Sequence, residues 1–424
     1  MSDSENVLNR IGTGPAPAGW LTRLARRLLF TRLAGLEAGQ LDWVEGGTTR
    51  CFGRASPDCP LRVRLTVVDT DCYPEVAFGG SLGAAESYIR GHWRCDDLTG
   101  LIRLMLLNRH VLEQIDSGTG RVMNPVRKLF HRMHRNTRRG SRRNIRAHYD
   151  LGNDFFRLFL DETLTYSCGI FERPDSSLRE ASEAKLDRIC RKLDLGPEDH
   201  VLEIGTGWGS FAIHAAGRYG CRVTTTTISD AQHELARERI REAGLDHRID
   251  VLKRDFRDLE GRFDKLVSIE MIEAVGENNL GRFFRVCADR LRPGGKMVLQ
   301  SITIADALYD DYRGSVDFIQ RYVFPGGFLP SVSALCQKMA AHSDLRLFHL
   351  EDIGPHYAET LRRWRQRFND NYRAIRELGY PPEFMRLWEF YLCYCEGGFI
   401  ERATGDVQLV LVKSRDRSPS LLTV

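Results

Sequence analysis

The feature that most constrains this chain is the run Val201-Leu202-Glu203-Ile204-Gly205-Thr206-Gly207-Trp208-Gly209. An apolar run ending in closely spaced glycines predicts a buried strand that turns sharply into a helix. Glycine accepts the backbone conformations of such a turn and lets the chain approach a ligand closely. The order continues beyond the turn. The pattern predicts a helix over 210–219, a strand over 223–228, a helix over 231–243, and strands over 249–253, 265–270 and 297–304. A further helix over 279–291 ends at Pro293-Gly294-Gly295, and Val407 to Val412 reads as a late strand closing one edge. This alternation implies an α/β fold with a doubly wound, mostly parallel sheet.

The glycines are spaced GxGxG, not the GxGxxG of pyrophosphate binding. Glu203 just before them would repel a pyrophosphate but suits the ammonium of a methionine moiety. The cofactor expected from the residues is therefore S-adenosylmethionine, held at Glu203, Gly205, Gly207, Trp208 and Gly209. The second strand ends Thr227-Ile228-Ser229-Asp230-Ala231-Gln232; Asp230 reads equally as a ribose ligand or as a helix N-cap. Phe256, after the third strand, is a candidate cover for an adenine face or a core residue.

At 424 residues the chain exceeds one such domain. Residues 1–120 mix strand and helix signals: Leu61 to Val68 alternates like a half-buried strand, 81–93 and 97–107 look helical, and Asp97 is placed as an N-cap. Trp20 to Leu36 is a basic amphipathic segment, suited either to a lipid interface or to packing on its own domain. Residues 121–147 read as a linker. It carries Arg127, Lys128, Arg132, Arg135, Arg138, Arg139, Arg142, Arg143 and Arg146 with no acid among them, and it suits anionic headgroups or plain solvation. It lacks the interleaved aromatics of a nucleic-acid surface. The polar start does not read as a secretory signal, and no apolar run is long enough to span a bilayer. The 11 cysteines show no CxxC spacing, so reduced thiols are expected and no metal site. The expected setting is cytoplasmic.

From His148 the motifs become recognisable. His148-Tyr149-Asp150-Leu151-Gly152-Asn153-Asp154-Phe155-Phe156-Arg157-Leu158-Phe159-Leu160-Asp161, Thr165-Tyr166-Ser167-Cys168-Gly169, Ser268-Ile269-Glu270-Met271-Ile272-Glu273-Ala274-Val275-Gly276, Tyr322-Val323-Phe324-Pro325-Gly326-Gly327 and Tyr394-Cys395-Glu396-Gly397-Gly398-Phe399 together resemble the cyclopropane-fatty-acyl-phospholipid synthases. Within that family the chain looks closest to the branch that includes plant cyclopropane synthases. The resemblance runs from about residue 35 to the C-terminus.

The resemblance implies a class I methyltransferase-type domain over 148–424, with a smaller N-terminal α+β lipid-associated domain. It implies transfer of a methylene from S-adenosylmethionine to a cis double bond of a phospholipid acyl chain, through a carbocation that loses a proton to bound bicarbonate. By position, the bicarbonate cage would be Cys168, Glu273, Ile302 through its backbone, and Tyr357, with Cys395 as a second active-site cysteine. Tyr149, Tyr166, Ser167, Thr227, Ser229 and Gln232 would join the cofactor site. The expected partner is a bilayer surface with unsaturated chains, met peripherally at the inner face of the membrane. A homodimer is left open, and nucleic acid is not expected.

One departure stands out: Gln300 occupies the place where bacterial members commonly carry a histidine. An amide can hold an anion but cannot shuttle a proton. It leaves open a rival outcome, in which the same cation gives a methylene or methyl branch. A non-catalytic lipid-binding protein would want a broken glycine loop or a missing Glu273, and both are intact.

Overall fold

The computed structural model describes residues 19–116 and 151–417. Tyr149 and the arginine-rich stretch lie outside the described residues. The chain divides into two compact units, 1–123 and 124–424.

In the first unit, helix α1 (Trp20–Leu33) precedes strands β1 (Gly39–Glu45), β2 (Thr48–Arg54) and β3 (Arg62–Val67), helix α2 (Cys72–Arg90), strand β4 (Trp93–Cys95) and helix α3 (Leu98–Leu107). The sheet runs β2-β1-β3-β4. The β1–β2 hairpin is made by Gly46 and Gly47, both with positive φ (54° and 80°) as a tight two-residue turn requires. Asp97 caps α3 as expected, accepting from the Gly100 amide at 2.8 Å. α2 is broken at Gly80 (φ 66°, ψ −152°), so the helix expected over 81–93 begins just after that break and ends at Gly91, which is left-handed. In α1, Ala25, Leu29, Phe30 and Leu33 are buried, whereas Trp20, Leu21, Leu24 and Leu28 stay exposed.

The second unit contains α4 (Asn153–Phe159), α5 (Leu178–Leu193), β5 (His200–Ile204), α6 (Ser210–Tyr219), β6 (Arg222–Thr226), α7 (Asp230–Glu242), β7 (Ile249–Leu252), β8 (Phe263–Ile269), α8 (Leu280–Arg290) and β9 (Leu291–Ile304). Then follow α9 (Tyr309–Arg313), α10 (Val332–His342), β10 (Arg346–Asp352), α11 (Gly354–Asp370), α12 (Tyr372–Glu377), α13 (Pro382–Ile400) and β11 (Thr404–Val412). The seven strands are ordered β10-β11-β9-β8-β5-β6-β7. β7, β6, β5, β8 and β9 are parallel, while β11 is antiparallel to both β9 and β10.

The late strand is therefore not at the edge, as its sequence suggested. β10 covers it, with a mostly exposed pattern that no clean alternation announced. Two apolar layers sandwich the sheet. One includes Leu266, Phe283, Phe284 and Leu299, the other Ile189, Val201, Phe211 and Val267. Among the described residues no helix is long and apolar enough to cross a membrane.

Candidate active site

The glycine loop behaves as its spacing predicts. Gly205, Gly207 and Gly209 have φ of 102°, 53° and 88°, values that side-chain-bearing residues avoid. A Cβ at Gly207 would meet nothing within 4 Å, so the backbone there borders open space. Glu203 is buried, and its Oε2 has no hydrogen-bond partner. Burial pushes its carboxyl up to about 7. A buried carboxylate oxygen without a donor, beside an open glycine turn, fits the ammonium of S-adenosylmethionine.

The remaining cofactor candidates divide. Thr227 Oγ1 donates to Gln232 Oε1 at 2.9 Å, and Ser229 is the N-cap of α7, accepting from the Gln232 amide at 3.3 Å. These three residues thus shape one turn at the end of β6. The N-cap is Ser229 rather than Asp230, which lies in the first helical turn and pairs with Lys253. Trp208 is buried, donates to Asn153 Oδ1 at 2.9 Å and packs on Phe156 at 5.0 Å, so its ring fastens α4 over the loop. Phe256 packs edge-on to Phe283 at 5.7 Å, as a core residue does. Ser167 accepts from the wholly buried Lys185 at 2.8 Å, and the Tyr166 hydroxyl meets that of Tyr391 at 2.9 Å.

The cage expected for bicarbonate is assembled, but around a residue that sequence reasoning passed over. β8 ends at Ile269, which pairs with Gln300 on β9. The next residue, Glu270, turns out of the strand with φ of 47°, and its carboxylate lies at the centre of the cage. The Cys168 backbone N–H donates to Oε1 at 2.9 Å, the Gln300 amide donates to Oε1 at 2.7 Å, and the Tyr357 hydroxyl donates to Oε2 at 2.6 Å. Glu273 lies on the turn just beyond. Its Oε1 accepts from the Ile302 backbone N–H at 2.7 Å and from Ser301 Oγ at 3.0 Å, while its Oε2 is buried without a partner. Burial and the nearby Glu270 charge raise Glu273 to about 8, so it is mostly protonated at neutral pH.

Every donor assigned to the bicarbonate is thus engaged by a carboxylate of the chain itself. The residues do not fit a separate bicarbonate on this set, because it would have to displace Glu270. Cys168 contributes its amide rather than its sulfur. Its thiol is fully buried and pushed up by burial and by the Asp406 and Glu270 carboxyls, which makes it a poor nucleophile. Cys395 is not part of the cluster; its thiol is raised by burial and by Asp317.

The charge balance of the cluster follows. Asp406 on β11 is buried and shares the Gln300 amide with Glu270, accepting from it at 3.0 Å. Burial and the nearby Glu270 carboxyl push its carboxyl well above the usual carboxylate range. Lys185 is buried beside the same group: burial disfavours its charge and lowers it, while the Glu270 carboxyl favours the charge.

The amide of Gln300 has a determined orientation. Lys192 has only donors and gives one to Gln408 Oε1 at 2.6 Å, which leaves the Gln408 NH₂ to donate to Gln300 Oε1 at 3.0 Å. The Gln300 NH₂ must then point at Glu270. Gln300 and Gln408 are direct cross-strand partners on β9 and β11, so the sheet register sets up this relay.

Aromatic rings adjoin the cluster through Tyr357. Tyr166 and Trp364 lie 5.2 Å apart, Tyr357 and Trp364 6.1 Å, and Phe324 and Tyr391 6.3 Å. Such faces exclude water and stabilise a passing positive charge.

Residues 136–409 match the family described as mycolic acid cyclopropane synthetase. Tuberculostearic acid methyltransferase UfaA1 of Mycobacterium tuberculosis is 39% identical over 407 residues, 94% of this chain and 92% of that protein. The cyclopropane-fatty-acyl-phospholipid synthase of Escherichia coli is 35% identical over 356 residues, 81% of this chain and 86% of that protein. Among solved structures, mycolic acid cyclopropane synthase CmaA1 complexed with SAH and CTAB is 31% identical with a TM-score of 0.61, covering 64% of this chain and 98% of that one. The cyclopropane synthase MmaA2 from Mycobacterium tuberculosis, also 31% identical, gives a TM-score of 0.60 over the same shares. With a glycine loop and a buried glutamate shaped for S-adenosylmethionine, and relatives that span nearly its whole length, the chain belongs to the mycolic acid cyclopropane synthetase family of S-adenosylmethionine-dependent methyltransferases.

Proposed function

We propose that this chain acts on the cis double bond of an unsaturated phospholipid acyl chain, adding one carbon and closing a cyclopropane ring. The observation that carries the reading is the largely buried carboxylate cluster beyond the glycine loop, with Tyr357 linking it to a set of aromatic rings. S-adenosylmethionine, when bound, supplies an electrophilic methyl group. An alkene is a weak neutral nucleophile, so the chain must align it and keep water from the cation that follows. Tyr166, Phe324, Tyr357, Trp364 and Tyr391 suit the walls of such a site, and the carboxylates suit removal of a proton. The relative in Escherichia coli named as a phospholipid synthase supports the phospholipid as substrate.

A second reading has its own support. The relative matching 94% of this chain is named a methyltransferase of tuberculostearic acid. Loss of a different proton from the same cation would give a methylene, and after reduction by a partner enzyme a methyl branch.

A bilayer surface is the proposed partner, met peripherally. The exposed Trp20, Leu21, Leu24 and Leu28 of α1 support it, with Arg23 and Arg27 exposed beside them, as does the basic stretch 127–146.

Purified protein with S-adenosylmethionine and vesicles of cis-monounsaturated phospholipid should give lipid heavier by one methylene in mass spectrometry. No gain across several unsaturated lipids would overturn the reading. Proton NMR of the product separates the two outcomes, because only a cis-cyclopropane gives strongly upfield ring protons.

A further inference from the structure

We infer that the Glu270 carboxylate is a built-in replacement for a diffusible bicarbonate and is the proton acceptor of the reaction. This rests on the proposed chemistry at an alkene. Bicarbonate is a planar anion that must be held by converging donors. Glu270 presents the same planar O–C–O group to the Cys168 amide, the Gln300 amide and the Tyr357 hydroxyl, at 2.9, 2.7 and 2.6 Å. The Cys168 N–H and the Tyr357 O–H are both given to Glu270, the Gln300 NH₂ is divided between Glu270 and Asp406, and the group they meet is covalently part of the chain.

Three further observations assign Glu270 a chemical role rather than a packing one. Its backbone is left-handed at φ of 47°, a conformation that costs a side-chain-bearing residue about 1 kcal/mol or more and persists where the surroundings impose it. Glu270 also keeps partial exposure, whereas Cys168, Gln300, Ser301 and Asp406 around it are fully buried. And both its oxygens accept hydrogen bonds from neutral donors, with the buried Lys185 near enough to interact with it.

The step balances without a co-reactant. The alkene π pair forms the new carbon–carbon bond as the carbon–sulfur bond breaks, and S-adenosylhomocysteine leaves with that pair. The resulting cation loses a proton to Glu270, and the freed C–H pair closes the ring or forms the methylene. A proton next to a carbocation is very acidic, so a carboxylate held by three donors is basic enough. Glu273, with its unpartnered Oε2, lies close enough to Glu270 to feel its charge and can pass the proton onward.

The test compares the wild type with Glu270→Gly and Glu270→Gln in buffer stripped of carbon dioxide, with and without millimolar bicarbonate. Rate is read as S-adenosylhomocysteine release on unsaturated vesicles. Binding of ¹³C-labelled bicarbonate is read by NMR on the S-adenosylhomocysteine complex, which needs no turnover. The wild type should run at the same rate in both buffers and bind no bicarbonate. Glu270→Gln should lose about a hundredfold or more and stay slow. Glu270→Gly, whose backbone glycine adopts readily, should bind bicarbonate and recover at least tenfold of rate when it is added. A wild type that slows without bicarbonate, or binds it, overturns the inference, as does a Glu270→Gln enzyme at full rate. If no vesicle is turned over by the wild type, the alkene reading fails, while the NMR comparison still decides whether Glu270 fills the anion site.

Discussion

At the scale of single residues, the buried carboxyls make the protein sensitive to pH in a definite direction. Glu203 is raised to about 7 by burial, and it must be ionised to receive an ammonium. Affinity for S-adenosylhomocysteine should therefore fall as pH drops below about 7, and titration calorimetry across pH 5.5–8.5 would show a slope of up to tenfold per pH unit. Glu203→Gln should weaken binding about tenfold to a hundredfold and flatten that slope, since a charge-assisted hydrogen bond is lost. Stability has the opposite sign. Glu203 and Glu273 bind protons more tightly folded than unfolded, with folded values of about 7 and about 8 against 4.5 for an ordinary glutamate. Their contribution is fully present below pH 4.5 and is lost as pH rises through those values. The cofactor-free protein should thus show this term as a falling Tm between pH 5 and 8, weakened in Glu273→Gln.

At the scale of elements, α5 does more than cover the sheet. It places Lys185 beside the cluster and Lys192 under β11 and β10, where Lys192 meets Gln408 at 2.6 Å and Glu351 at 2.5 Å. Lys192→Met removes the donor that orients both glutamines. The Gln300 amide can then flip and present its oxygen to Glu270. The expected result is kcat lowered about tenfold, with KM for S-adenosylmethionine nearly unchanged, because the glycine loop is untouched. Tm should fall as well, since Gln408 and Glu351 lose a buried donor, although Arg188 still pairs with Glu351. A variant that loses Tm but keeps its full kcat would show that the relay has no catalytic consequence. In the first unit, α1 buries Leu29 and Leu33 and leaves Trp20, Leu24 and Leu28 exposed. Trp20→Ser with Leu24→Ser should lower sedimentation with anionic vesicles while leaving Tm within a degree or two. Unchanged vesicle binding would leave α1 as a surface helix.

At the scale of the whole molecule, two features suit the proposed reaction: a glycine turn shaped for S-adenosylmethionine, and a largely buried carboxylate cluster able to accept a proton. They lie at the same end of the sheet, where β5, β6 and β8 deliver their C-terminal residues, the usual ligand edge of such folds. Vesicle association should weaken with ionic strength if the basic stretch 127–146 contributes, because exposed charges are screened over about 8 Å at physiological salt. A salt-independent association would assign it to the apolar face of α1 alone.

Much of this was readable from the chain alone, and for a physical reason. Strand and helix periodicity, the N-cap at Asp97 and the positive-φ glycines of the 205–209 loop are local properties. β5 to β9 and the helices between them fall within a few residues of where the pattern puts them. Glu273, Cys168, Ile302 and Tyr357 were reached through resemblance of motifs, and the fold does bring them into one cluster. What sequence could not supply was who donates to whom. Glu270 sat in plain view as an acid at the end of a buried strand, which was the available signal, but its carboxylate becomes the cage's anion only because β8, β9, α11 and the segment carrying Cys168 converge on it. Lys185, Asp406 and Gln408 matter for the same reason. The place of β11 inside the sheet depends on β10, whose pattern is irregular. Local sequence determined the elements and the cofactor turn. Tertiary structure alone decided which carboxylate the cage donors meet, and which way the Gln300 amide points. Those are properties of long-range contacts, and burial sets their energies.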